Sequence, residues 1–218
     1  MNSSTSQWGF HHWAGTASDF HGQDLGSERA VWWCDVDVPT LVLGSTQSHD
    51  DVDEDAAASL GLDVVRRRSG GGVVYVHPTD SVWIDVTISR DDALWVDDVT
   101  QSMLWLGDVF VAALSPWVDA QVHRGAFDAG TEGRSVCFAS TSPGEVFVDN
   151  QKLVGISQRR GRDGARMQCI VYRRWMPDQW APAMTSSTAR TRATGLPVAT
   201  LDVAPHDIVA AFVAALPL

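Results

Sequence analysis

The sequence predicts an α/β chain of the α+β type, a mixed, largely antiparallel sheet with packed helices, and three stretches carry that prediction. Ser81–Ile88 alternates Val82, Ile84, Val86 and Ile88 with Ser81, Trp83, Asp85 and Thr87, a period of two that marks a half-buried strand. Val99, Met103, Leu106, Phe110 and Ala113 recur at steps of three and four before Pro116, which predicts an amphipathic helix over 96–114. Glu145–Val148 and Lys152–Arg160 flank Asp149-Asn150, and that dipeptide between apolar runs predicts a hairpin.

The remaining elements follow in order. Residues 1–23 read as an N-terminal arm, polar and poorly ordered through residue 18 with embedded aromatics able to dock, and 24–218 as a single domain without repeat or linker. Pro39–Gly44 is a short apolar run suited to a buried strand. Ser48 as N-cap, Asp50, Asp51 and Asp53 in the first turn and Gly61 past the end predict a helix over 49–60. Asp63–Arg68 and Val73–Val76 read as strands around three glycines, the second pairing with 81–88. Short strands are expected near 120–124 and 135–139, a further strand over 166–174, and a helix over 205–216 opened by Pro205.

Composition excludes several functions. With 44% hydrophobic residues and a net charge of −11, the chain has material for a core but no basic face for nucleic acid. Nine of its fifteen arginines nonetheless cluster in 66–68 and 159–174, so a local positive region can receive a small anion or an acidic protein. Cys34, Cys137 and Cys169 form neither a disulfide framework nor a zinc site, which favours a reduced, cytoplasmic setting. The spacing of His11, His12 and His21 fits no metal, and no apolar run has membrane-spanning length.

Two features point to chemistry. Lys152 is the only lysine in 218 residues, at a place where a compact mobile charge was kept and the planar arginine fork was not. Gly70-Gly71-Gly72 follows Arg66–Arg68; its amides are open to close approach by an anion, although the loop matches neither the P-loop nor the dinucleotide pattern. A tight connection between strands is the plain alternative.

Arg67-Arg68-Ser69-Gly70-Gly71-Gly72-Val73 resembles a signature of lipoate-protein ligase A and its relatives, and Lys152-Leu-Val-Gly155-Ile-Ser157 resembles the second. Leu41–Gln47 is similar to the early strand whose Gly44 and Gln47 lie by the acyl pocket, so the likeness covers roughly 24–175. It implies the fold shared with biotin ligases and acyl transfer of lipoate or octanoate to a lysine of a lipoyl domain. On the ligase reading, ranked first, ATP with Mg²⁺ activates the acid as acyl-AMP. Lys152 is then the cation on the phosphate, and Arg67, Arg68, Ser69, Gly70, Gly71, Gly72, Val73, Gly44, Gln47, Gly155 and Ser157 form the acyl and nucleotide pocket. Arg66–Arg68 are expected on its rim and Lys152 on an exposed hairpin. Nothing after Trp175 is long enough for the ligases' accessory domain, so a separate accessory subunit is a possible partner. Cys137, fifteen residues before Lys152, resembles the nucleophile of the single-domain octanoyltransferases, which take acyl groups from acyl carrier protein without ATP. A non-catalytic acyl binder is the third reading, because Val76-His77-Pro78-Thr79-Asp80 stands where the ligases have His-Asp and Gly-Asn, with His77 read as structural.

Overall fold

The computed structural model describes residues 7–218; residues 1–6, the start of the expected arm, lie outside the described residues. Ten strands and five α-helices run in the order β1 (Gly9–Gly15), α1 (Ala17–Gly22), β2 (Ala30–Val36), β3 (Thr40–Leu43), α2 (Glu54–Ser59), β4 (Asp63–Arg66), β5 (Val74–Val76), β6 (Ser81–Ser89), α3 (Leu104–Leu114), β7 (Gln121–Val122), β8 (Val146–Val148), β9 (Gln151–Arg160), β10 (Gly164–Tyr172), α4 (Ser187–Gly195) and α5 (Pro205–Ala214) among the described residues. Seven strands form one sheet, β1-β2-β6-β10-β9-β8-β7, antiparallel except for the parallel pair β1–β2. Three form a smaller sheet, β4-β3-β5, with β3–β4 parallel and β3–β5 antiparallel.

The period of two in β6 places one core on each face of the large sheet. Val82, Ile84, Val86 and Ile88 pack with Leu106 and Phe110 of α3 and Phe212 of α5. Trp83 on the opposite face packs with Phe20, Tyr172 and the strands of the small sheet. Both faces are therefore covered, so β6 is fully buried where half-burial was expected. Its polar members are satisfied: Asp85 meets Trp83 Nε1 and Arg166, and Thr87 donates to the Glu28 carbonyl.

Several expectations are corrected. Strand β5 pairs with β3 and not with β6. Between β5 and β6 the backbone amides of Thr79 and Asp80 donate to His77 Nδ1, and this turn carries the chain from the small sheet to the large one, a structural role for His77. The helix expected over 49–60 is two pieces because it has two caps: Ser48 accepts from Asp50 in a 3-10 turn, and Asp53 accepts from Ala56 to start α2. Asp98 binds the Thr100 amide in a local turn, so α3 begins only at Leu104. The strand expected at 135–139 is a 3-10 turn over Cys137–Ala139, with only Val136 bridging to Val73. The 145–160 hairpin stands as expected, its turn residues Asp149 and Asn150 both at positive φ (46° and 63°). Helix α4, capped by Ser186, was not foreseen.

The arm, from residue 9 onward, is ordered and docked. Residues 9–15 add a strand to the sheet and α1, capped by Thr16, buries Ala17 and Phe20 completely. Phe20 stacks edge-on against Trp83 with centroids 5.2 Å apart. Phe20→Ala is expected to lower unfolding stability by about 3–5 kcal/mol in urea denaturation; a loss below about 1 kcal/mol would restore the arm reading.

Candidate active site

The site forms where the end of β3, the glycine loop, the 135–140 turn and β9 converge. Three backbones come so close that side chains are excluded. A Cβ on Gly44 would lie 1.8 Å from the Gly71 carbonyl oxygen, and one on Gly72 would lie 2.7 Å from Val136 N. Gly71 itself has φ +99°, which disfavours any L side chain. Ladder-like bonds lock this approach: Val73 N donates to Ser135 O (2.9 Å) and Cys137 N to Val73 O (3.1 Å). Gln47 is buried, accepts from Gly44 N (3.0 Å) and reaches Ser135 O (3.4 Å). The glycines thus serve close packing around Cys137.

Arg67 is not on a rim. Its side chain is 3% exposed and donates to the carbonyls of Val42 (3.0 Å), Gly70 (2.8 Å) and Gly72 (2.8 Å). No carboxylate pairs with it among the described residues. Burial pulls the guanidinium below the usual arginine range, and the neighbouring Cys137 sulfur pulls it back up. Arginine and thiol flank Gly71: the point where its Cβ would stand is 2.9 Å from Arg67 Nη2 and 3.4 Å from Cys137 Sγ.

Lys152 is not exposed either. It is 2% accessible, its Nζ 2.8 Å from Glu145 Oε2 and 3.1 Å from the Cys137 carbonyl, which accepts from it. The ammonium also lies 5.2 Å over the Phe138 ring. Glu145, equally buried, accepts from the amides of Ser142 and Ile156; burial raises its carboxyl above the usual range, opposed by Lys152. Sequence reasoning missed Glu145 as a site residue, although it stands across the hairpin from the lone lysine.

Two cavities meet at Cys137. One is a narrow apolar slot of about 40 Å³, lined by Val42, Val74, Val76, Trp83 and Ile170 and bordered by Arg67. The other is a polar cleft of about 660 Å³ lined by Gln47, Gly70, Gly71, Ser135 and Glu145. Cys137, Ile156 and Ser157 line both. Ser157 is held by Ser69 (3.1 Å), which donates to Gln168 Oε1 (2.7 Å). Gly155 lets β9 pass Phe138, whose ring atom would stand 2.8 Å from a Cβ there. The structure therefore brings together Gly44, Gln47, Arg67, Ser69, Gly70, Gly71, Gly72, Val73, Cys137, Lys152, Gly155 and Ser157, while Arg68 lines a separate groove. Of the ion pair, Glu145 and not Lys152 reaches the cleft.

The fold sets a cysteine at the seam of an apolar slot and a polar cleft. Residues 13–195 match the lipoyl protein ligase A/B catalytic domain family, and this chain belongs to it. It is 32% identical over 127 residues to the octanoyltransferase LipM of Moorella thermoacetica, covering 56% of this chain and 45% of that protein. With LipM of Kyrpidia tusciae it shares 33% over 132 residues, covering 58% and 47%. The chain thus aligns with about half the length of these curated relatives. Among solved structures, lipoate-protein ligase A bound with ATP superposes with a TM-score of 0.72 at 16% identity, covering 96% of this chain and 83% of that one. Protein Ta0514 of T. acidophilum with bound lipoic acid gives 0.71 at 16%, covering 96% and 84%. These likenesses confirm the fold class, a mixed and largely antiparallel sheet with packed helices. Among the described residues no helix is long and apolar enough to cross a membrane.

Two predictions follow the geometry. Gly44→Ala is expected to cost about 3 kcal/mol or more, because its methyl meets a backbone oxygen, whereas Gly70→Ala, with nothing within 4 Å, stays within about 0.5 kcal/mol; urea midpoints distinguish them. Lys152→Met leaves Glu145 buried without its cation and is expected to cost about 3–5 kcal/mol, most of it recovered by adding Glu145→Gln. A single variant as stable as the parent would remove the ion pair's structural role.

Proposed function

We propose that this domain transfers a medium-chain acyl group through a thioester on Cys137, moving it from a carrier thioester to a lysine amine on a lipoyl-domain protein. The observation that carries this reading is the position of the thiol, which lines both the apolar slot and the polar cleft. The slot suits an unbranched chain, and the cleft gives the donor and the acceptor access to the acyl carbon. In the first half-reaction the Cys137 sulfur attacks the donor carbonyl and the donor leaves as its thiol. In the second the acceptor amine attacks the Cys137 thioester, an amide forms and the thiol is regenerated.

The chain's own groups have distinct parts in this. Arg67 sets a fixed positive charge beside the sulfur, where charge develops during both attacks. Lys152 fixes the Cys137 turn by holding its carbonyl, and so acts as a positioning residue. Glu145, which also lines the cleft, holds the Lys152 ammonium in place and so supports the same turn.

The names of the sequence relatives support octanoyl transfer over the ATP-dependent reading ranked first from sequence. The site residues fit a nucleotide less well. The Lys152 ammonium is taken by Glu145 and a carbonyl, the Arg67 guanidinium by three carbonyls, and the cleft carries Asp51 and Glu145 against Arg134. Donor and acceptor are identified by chemistry: an acyl carrier protein thioester and a lipoyl-domain lysine.

Incubating the protein with octanoyl-acyl carrier protein in the absence of ATP is expected to add one octanoyl mass, reversible by hydroxylamine. Cys137→Ser should lose the adduct and slow transfer to a lipoyl domain by at least about a hundredfold, the range for removing a nucleophile. ATP-dependent lipoylation that survives in Cys137→Ser would instead establish the ligase.

A further inference from the structure

The slot does not end blindly. His21 and Gln168 border both the slot and a small gap of about 20 Å³, which Ser69 and Arg166 also line. That volume has room for one water or one oxygen of a ligand. Through Arg68, Arg159 and Arg166 the gap joins an open groove between the α1–β2 connection and the β9–β10 turn.

Two residues that line the gap carry unsatisfied polar atoms. His21 Nε2 and Arg166 Nη2 are both buried and neither has a hydrogen-bond partner. A buried polar atom left without a hydrogen bond is costly, so two around one gap point to a missing partner. Burial and the charges of Arg166 and Arg67 lower the His21 pKa to about 3, leaving the ring neutral with one N–H to give.

Charge sets the class of acceptor. Arg166 is paired with Asp85 through its Nε (2.5 Å), and Arg162 in the outer groove with Asp163 (3.2 Å). Arg68 and Arg159 have no carboxylate partner among the described residues, and Asp24 is the remaining acid lining the groove. On a chain of net charge −11, this end of the slot is locally positive.

We propose that the acyl chain carried by this protein bears a carboxylate at its far end, bound by Arg166 and His21 where the slot opens to the basic groove. The proposal rests on the acyl-transfer reading and names its substrate class: a half-thioester of a dicarboxylic acid, with the thioester carbon at Cys137 and one oxygen of the free carboxylate in the gap. The chain crosses the apolar slot, and its anion satisfies both orphaned donors. Arg68 and Arg159 add attraction from outside.

N-acetylcysteamine thioesters test this, because they carry no phosphate to occupy the groove. Octanoyl thioester and the half-thioester of the eight-carbon dicarboxylic acid are offered separately, and the rate of adduct formation on Cys137 is read by intact mass. The carboxyl-tipped thioester is expected to react about tenfold faster, the scale of one charge-assisted hydrogen bond. That ratio should fall severalfold in Arg68→Gln/Arg159→Gln, whose positions are exposed, and invert in His21→Leu, which lines the gap with hydrocarbon. Equal rates, faster octanoyl uptake, or a ratio unchanged in both variants would overturn the carboxylate and leave acyl transfer standing. Uptake of neither thioester overturns acyl transfer and this proposal with it.

Discussion

A guanidinium buried among carbonyl oxygens is the constraint on which the site depends. Arg67 spans the end of β3 and both ends of the glycine loop, through Val42, Gly70 and Gly72. A carbonyl offers only part of the compensation that a carboxylate would give, so the fold bears the desolvation of an unpaired cation. What it gains is a rigid positive charge whose position is over-determined, since each bond ends on backbone that the glycines have already brought together. A side chain tethered in this way does not reorganise when charge moves near it, which is the condition for electrostatic preorganisation.

The ion pair behind Cys137 obeys a different logic. Lys152 and Glu145 lie on the two sides of a hairpin, and with Ser142, Ile156 and the Cys137 carbonyl they close a fully satisfied buried network. Such networks contribute less to net stability than to uniqueness of geometry. Here the geometry fixed is that of the 3-10 turn, which presents the thiol to the cavities rather than to a neighbouring strand.

How far the sequence could be read depended on whether the relevant contact was local. The alternation in 81–88, the Asp149-Asn150 turn and the proline opening α5 are local signals, and each element stands where they put it. The glycine loop, Cys137 and Lys152 are singled out by local sequence features, and the fold brings them together. Their exposure was misjudged, because burial of Arg67 and Lys152 depends on partners 25 and 15 residues away. Strand β5 went to the wrong neighbour for the same reason: short strands carry little information on register, and the His77 turn that sends the chain between sheets resembles an ordinary hairpin connection. The N-terminal segment is polar by composition, yet pairing of β1 with β2 and two buried side chains on a six-residue helix dock it. His21 and Gln168 carried no sequence signal, since their importance comes from bordering a cavity built by other elements.

The burial of Lys152 also bears on what this protein is exposed to. A surface lysine beside a reactive thioester is itself an acceptor, and a catalyst that forms acyl-lysine bonds in its client risks forming them on its own surface. With every other cationic position occupied by arginine and the sole lysine side chain sealed 2% accessible against a carboxylate, the chain offers no side-chain amine to an activated acyl group. Guanidinium stays protonated and non-nucleophilic at working pH. A composition with one sealed lysine is thus equivalent to chemical inertness towards the amide-forming step of the proposed transfer.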